Sequence, residues 1–157
     1  MYERILVPLD GSELAEGVLP YVEELAKRLG SEVVLLQAVT SLAQLMSQAA
    51  ASDPTAMSAV SVEVARQEHE ALVAAARDYL TRIADRLVRQ GIGTQVEAVD
   101  GSAGGAILDY LRAQEVSLIA MSTHGRGGLG RLVFGSVADA VLRQTHLPVL
   151  LVRPVQA

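Results

Sequence analysis

Four short, uninterrupted apolar runs constrain the fold of this chain more than any other feature. They occupy residues 5–7, 33–36, 118–121 and 149–152, and consist of Ile, Leu, Val, Ala and Met. Such runs are typical of strands that are buried on both faces of a parallel sheet. A fifth segment, residues 94–99, alternates polar and apolar side chains as a less buried edge strand does. The sequence therefore predicts five strands.

The segments between these runs carry helical periodicity. Apolar residues recur every three or four positions over 14–29, 72–87 and 107–111, and a further helix is predicted to start near Ser136. Pro20 lies inside the first stripe, where we expect it to kink the helix. Strands that alternate with helices predict right-handed crossovers and an α/β fold. We expect a doubly wound, Rossmann-like, five-stranded parallel sheet of strand order 3-2-1-4-5, with ligands beyond the carboxyl ends of its strands.

The length of 157 residues fits one domain, which we place over residues 1–157. Residues 40–62 are rich in Ala, Ser and Met and form a connection longer than usual. We expect a mobile insertion or a short helix there. It is interpreted either as a cover over a ligand or as a tolerated surface insertion.

Charge and composition exclude several classes of protein. The net charge of −5 is the wrong sign for a nucleic-acid-binding protein. The chain opens without a signal-peptide pattern, and polar residues interrupt its uncharged stretch, so we expect a cytoplasmic protein that does not enter membranes. It has no cysteine, and its three histidines have no metal-ligand spacing, so no metal site is predicted.

A glycine-rich segment, Gly-Arg-Gly-Gly-Leu-Gly at residues 125–130, formally matches the dinucleotide fingerprint G-x-G-x-x-G. The fingerprint belongs after the first strand, however, whereas this segment follows the fourth. The spacing of Gly130 and Gly135 matches a P-loop, but the lysine that should follow is absent. Lys27 is the only lysine of the chain. Hydride-transfer, P-loop and Schiff-base enzymes are therefore disfavoured.

The same loop leads to Gly135 and Ser136 at a predicted helix start. Unpaired backbone N–H groups and the helix dipole favour an anion at such a place, and phosphate is the natural candidate. An alternative interpretation is a capping box formed by Ser136 and Asp139, which would serve the helix alone.

The pattern of residues 121–137, Met-Ser-Thr-His-Gly, nine residues, then Gly-Ser-Val, resembles the universal stress protein family, whose ATP-binding members carry G-x2-G-x9-G-[ST]. The opening Ile-Leu-Val-Pro-Leu-Asp-Gly-Ser at residues 5–12 and the closing Pro-Val-Leu-Leu-Val-Arg-Pro at residues 148–154 are similar to the ends of that family. The resemblance thus covers nearly the whole chain. Ser122 departs from the pattern, because it stands where the family has its first glycine.

The resemblance implies a stress-response regulatory protein that binds ATP or AMP, with Mg²⁺ accompanying the triphosphate. Asp10 and Ala38 would face the base, and Gly125, Gly135 and Ser136 would meet the phosphates. The full nucleotide site implied by the resemblance is Pro8, Leu9, Asp10, Ala38, Met121, Ser122, Gly125, Gly135, Ser136, Val137 and Ala138. A homodimer is also expected, through the apolar last strand at an edge of the sheet, because an unpaired edge needs cover.

Three other hypotheses remain open. His124 lies near the expected ligand edge, but a loop residue bonded to backbone is favoured over a general base, so no catalytic residue is assigned and any ATPase activity is expected to be slow. Asp100 resembles the phosphoacceptor position of a response-regulator receiver, and Ser122 and Thr123 resemble its hydroxyl position. Finally, the chain could be a dimeric interaction protein of the same fold that binds no nucleotide.

Overall fold

A computed structural model describes residues 1–52, 59–123 and 135–153, with the side chains of residues 59 and 60 left out. The strands are β1 (Arg4–Pro8), β2 (Glu32–Val39), β3 (Thr94–Asp100), β4 (Leu118–Ser122) and β5 (Val149–Val152). The helices are α1 (Glu13–Glu16), α2 (Leu19–Leu29), α3 (Leu42–Ser52), α4 (Ala59–Arg89), α5 (Ala103–Ala113) and α6 (Ser136–Gln144).

The five strands form one parallel sheet in the order β3-β2-β1-β4-β5, which confirms the predicted topology. β1 lies between β2 and β4, with Ile5 opposite Val33 on one side and Leu118 on the other. The chain reverses its winding direction at this point, so the sheet grows outward from β1 on both sides. A crevice opens beyond the carboxyl ends of strands at such a switch point.

The apolar runs are buried on both faces, as the sequence pattern predicts. Successive residues of β2 alternate between two cores: Val33 packs with α2 and α4, and Val34 packs with α5 and α6. Both side chains are fully buried. No residue of β3 is fully buried, and β3 is an edge strand, as its alternating sequence predicts.

The first helical stripe folds differently from the prediction of one kinked helix. The chain forms two helices, α1 and α2, with a break at Gly17 and Val18. Pro20 lies in the first turn of α2, where its missing N–H leaves no hydrogen bond unmade. Pro20 therefore begins a helix here and does not bend one. The break leaves α1 as a single turn at the carboxyl edge of the sheet.

The long connection contains regular structure. α3 accounts for 11 of its residues, and α4 begins at Ala59, well before the apolar stripe at 72–87. α4 packs against α3 and against β2 and β3, and its buried residues Leu80, Ile83 and Leu87 lie in one core with Val33 of β2. None of the helices in the described ranges is both long and apolar enough to cross a membrane.

Candidate functional site

A cavity of about 320 Å³ lies at the switch point, beyond the carboxyl ends of β1 and β4. This volume lies at the lower end of the range that is usual for small-molecule sites. Strand ends, α1, α5 and the start of α6 contribute to its wall. The lining residues are Pro8, Leu9, Asp10, Ala15, Leu36, Ala38, Ala103, Ile107, Met121, Ser122, Gly135, Ser136, Val137 and Ala138.

The structure brings together ten of the eleven residues that the sequence analysis assigned to a nucleotide site. The eleventh, Gly125, lies outside the described residues, as do His124 and the rest of the glycine-rich segment. Residues from four separate parts of the sequence, around Asp10, Ala38, Ser122 and Gly135, thus surround one cavity.

Sequence reasoning missed four lining residues, all of them apolar and three of them nearly fully buried. Leu36 shares a face of β2 with Ala38, so strand alternation could have identified it. Ala103 and Ile107 lie one turn apart on α5, a spacing that places them on one helix face. Ala15 carried no comparable local signal, because its place in the lining depends on how α1 packs against β4.

The amino terminus of α6 opens into the cavity. Its N-cap is Gly135, which makes no side-chain capping hydrogen bond, and Ser136 is the first helical residue. The capping-box interpretation is therefore wrong, because Ser136 occupies the position after the cap. Asp139 pairs with Arg143, one turn further along, with 2.8 Å between carboxylate and guanidinium. The backbone N–H groups of the first turn of α6 are thus left without side-chain acceptors from a capping box.

A short chain of hydrogen bonds orders the opposite wall, where β1 leads into α1. The Asp10 carboxylate accepts hydrogen bonds from the Ser12 backbone N–H at 2.9 Å and from the Ser12 hydroxyl at 2.6 Å. Ser12 in turn caps α1, because its hydroxyl oxygen accepts from the Ala15 N–H at 3.1 Å. Gly11 joins these residues with a φ of 84°, a left-handed conformation that glycine adopts without strain. Asp10 is the one charged side chain among the described residues that line the cavity.

Ser122 ends β4 and is only partly buried. Its hydroxyl donates a hydrogen bond to the carbonyl of Ala15, with 3.2 Å between the oxygens. The serine that departs from the family pattern is therefore accommodated by a contact with α1.

Tyr79 of α4 holds α1 from another side. Its hydroxyl donates to the Glu16 carboxylate at 3.1 Å. Burial raises the pKa of the Tyr79 hydroxyl above its ordinary value, and the negative charge of Glu16 raises it further. Tyr79 is therefore neutral over the physiological range and can keep donating this hydrogen bond.

The strand order disfavours the receiver hypothesis. Asp100 ends β3 at the edge of the sheet, and two strands, β2 and β1, separate it from Ser122. At about 4.8 Å per strand, the two positions are too far apart to form one phosphoacceptor site. The Asp100 carboxylate instead contacts the ring of His69 in α4, at 2.8 Å.

Fold and cavity together define a doubly wound α/β protein with a ligand-sized cavity at its topological switch point. A model of the universal stress protein family matches residues 1–153. The chain therefore belongs to the universal stress protein family, as its sequence motifs indicated.

Individual relatives agree with this assignment. The chain is 27% identical over 156 residues to the universal stress protein MJ0577 of Methanocaldococcus jannaschii, covering 98% of this chain and 96% of that protein. The solved structure of MJ0577 superposes with a TM-score of 0.78, covering 100% and 99% of the two chains.

Two further solved structures share the fold at lower identity. One is a universal stress protein in complex with cAMP, at 18% identity and a TM-score of 0.63, covering 98% of each chain. The other is a family member from Arabidopsis thaliana with AMP bound, at 11% identity and a TM-score of 0.63, covering 98% of this chain and 92% of that one.

Proposed function

We propose that this stress protein binds an adenine nucleotide, ATP or AMP, in the cavity between β1, β4 and α6. The observation that carries the proposal is the convergence of Asp10, Ala38, Ser122 and Gly135 on one cavity at the switch point. The cAMP and AMP complexes of two proteins with this fold support the same ligand class.

The phosphate end of the nucleotide is assigned to the start of α6. N–H groups at a helix start donate to phosphate oxygens, and the helix dipole favours the negative charge. Gly135 has no side chain to keep the phosphate away from this backbone, and Ala138 adds only a methyl group. The described lining offers no arginine or lysine, so the donors that its described residues offer at this end are backbone N–H groups and the Ser136 hydroxyl. Mg²⁺ would accompany ATP and neutralise part of its triphosphate charge.

The base is assigned to the β1 and β2 side. Like charges repel, so the Asp10 carboxylate disfavours phosphate there and is suited to accept a hydrogen bond from an amino group of the base. Ala38 and Leu36 provide a small apolar surface against which a ring can pack.

We expect hydrolysis of bound ATP to be slow. Phosphoryl transfer depends on cations and positioned polar groups around the transferring phosphate. The described lining contains one carboxylate and two serines, and Ser122 already donates to a backbone carbonyl. Turnover at ordinary enzyme rates would contradict this expectation.

Isothermal titration calorimetry with AMP and with ATP, each with and without Mg²⁺, tests the proposal. Adenosine is the control for the phosphate end, and we expect it to bind more weakly than AMP. A nucleotide at 100 times its dissociation constant stabilises the fold by about 2.7 kcal/mol. For a chain of this size that corresponds to a rise in melting temperature of roughly 5–10 °C. If neither nucleotide gives heat or a thermal shift, the non-nucleotide interaction protein is the better hypothesis.

We further propose that the protein is a cytoplasmic homodimer that pairs through β5. Among the strands of the described residues β5 hydrogen-bonds only to β4, and three of its four side chains are partly exposed. A second copy related by a two-fold axis would pair the free edge and cover these apolar groups.

A further inference from the structure

The contact between Ser122 and Ala15 joins the two walls of the cavity. Ser122 ends β4 on one side, and Ala15 belongs to α1 on the other. α1 has only four residues, so its last carbonyls have few partners within the helix. The Ser122 hydroxyl supplies a donor for one of them, at 3.2 Å. The two residues are 107 positions apart in the sequence, so this bond fixes α1 relative to the sheet.

Two further hydrogen bonds connect Ala15 to Asp10. The N–H of Ala15 donates to the Ser12 hydroxyl, and that hydroxyl donates to the Asp10 carboxylate. A continuous path of three hydrogen bonds therefore runs from β4, through α1, to the one charged group of the described cavity lining. Movement of α1 would carry Ser12 with it and would release the Asp10 carboxylate from its present orientation.

We propose that Ser122 is a positioning residue that fastens α1 across the cavity and so holds Asp10 ready for the base of the nucleotide. The inference rests on the proposed function and specifies how that site is ordered. The single hydroxyl hydrogen of Ser122 is committed to Ala15, so Ser122 acts through α1 and does not donate to the ligand. A serine in place of the family's first glycine thereby adds a tether, at the cost of a side chain in the cavity.

The competing explanation is steric. If the side chain of Ser122 only narrowed the cavity, its removal would leave more room for the ligand. Ser122→Gly would then bind AMP more tightly than the wild type, and Ser122→Ala, which keeps most of the bulk, would bind like it. The tether instead predicts weaker binding by both variants, because both lose the hydrogen bond to Ala15.

Calorimetry with AMP on Ser122→Ala and Ser122→Gly separates the two explanations. We expect the dissociation constant to rise about threefold to tenfold in both, the range that one intramolecular hydrogen bond supports. Ser117→Ala is the matched control, because the Ser117 hydroxyl also donates to a backbone carbonyl, that of Arg4 at 2.9 Å, but at the amino end of β4. We expect Ser117→Ala to bind AMP like the wild type. Unchanged binding by Ser122→Ala, or tighter binding by Ser122→Gly, would overturn the proposal.

Two readouts test the path itself. In the Asp10→Ala background, Ser122→Ala should weaken AMP binding by less than it does alone, because its effect passes through Asp10. Full additivity of the two substitutions would contradict that path.

Amide hydrogen exchange on the unliganded protein needs no nucleotide. The N–H groups of Ala15, Glu16 and Gly17 are bonded within α1, and they should exchange faster in Ser122→Ala and at the wild-type rate in Ser122→Thr, which keeps a hydroxyl. Unchanged exchange in Ser122→Ala would refute the tether. A wild type that binds no nucleotide would refute the proposed function instead, while this exchange experiment would still decide whether Ser122 holds α1.

Discussion

Replacing Gly135 with valine is the most direct test of the assignment of phosphate to α6. The backbone of Gly135 has φ −56° and ψ 156°, an extended conformation that every residue adopts, so valine adds bulk without backbone strain. Valine is a poorer N-cap than glycine, and we expect a loss of about 1 kcal/mol in the free energy of unfolding. A domain of ordinary stability remains folded after such a loss.

The effect on binding should be far larger. A hydrogen bond from an N–H group to a charged phosphate oxygen contributes about 1.5–3 kcal/mol. A branched side chain at the N-cap would keep the phosphate from the N–H groups of the first turn, and losing two such bonds costs about 3–6 kcal/mol. The dissociation constant for AMP should therefore rise by roughly a hundredfold to ten-thousandfold.

Calorimetry on Gly135→Val and on a matched glycine variant measures this effect. Gly93→Val is the control, because no described atom beyond its two chain neighbours lies within 4 Å of an added Cβ at Gly93, which precedes β3 at the amino end of the strands. Circular dichroism and a melting curve establish that both variants are folded. If folded Gly135→Val binds AMP within threefold of the wild type, the phosphate does not lie at α6 and the site must be reassigned.

Three further predictions concern Asp10, the β5 edge and Tyr79. Asp10→Ala should weaken AMP binding by about tenfold, less than Gly135→Val, because one hydrogen bond to the base is lost. Calorimetry on Asp10→Asn, which keeps an oxygen to accept from Ser12, separates the role of the Asp10 charge from that of its hydrogen bonds to Ser12. Leu150→Lys should shift the protein from dimer to monomer in multi-angle light scattering, whereas the control Val88→Lys, at an exposed apolar position of α4, should remain dimeric. A wild type that is already monomeric would refute the dimer. Burial and the charge of Glu16 raise the pKa of Tyr79 in the folded state. The neutral hydroxyl therefore contributes its full stabilisation below the unfolded-state pKa of about 10, and this stabilisation is lost as the pH rises from there toward the folded-state pKa. Tyr79→Phe should therefore make the alkaline decline of the unfolding free energy shallower in urea titrations between pH 8 and 11, and an unchanged decline would contradict this linkage.

The architecture followed from local patterns in the sequence. An apolar run without polar interruption, such as that at residues 33–36, is typical of a strand buried on both faces, and helical stripes between such runs favour crossovers that cover a sheet. The carboxyl ends of parallel strands then meet at one edge. For this reason the residues that follow each strand could be placed at one edge, and the family resemblance then singled out Asp10, Ala38 and Ser122 among them.

Local patterns could not establish how the chain ends its helices. Helix propensity and spacing predicted one kinked helix over residues 14–29, but the chain breaks at Gly17 and uses Pro20 to begin a new helix. Likewise Ser136 is a good capping residue by type, yet Gly135 takes the N-cap position. Tertiary contacts choose among local alternatives that differ by about 1 kcal/mol, and the sequence alone does not resolve such differences.

The sequence by itself indicated the parallel sheet, because periodicity is a local property of the chain, and its resemblance to a known family implied most of the residues around the cavity. Only the tertiary structure showed that Ala15 lines the cavity and that Ser122 bonds to its carbonyl. Neither residue carries a pattern that points to the other, since a contact between positions 107 apart depends on how α1 and β4 pack. A hydrogen bond of this kind is decided by the three-dimensional positions of two backbones, and those positions exist only once the whole sheet has formed.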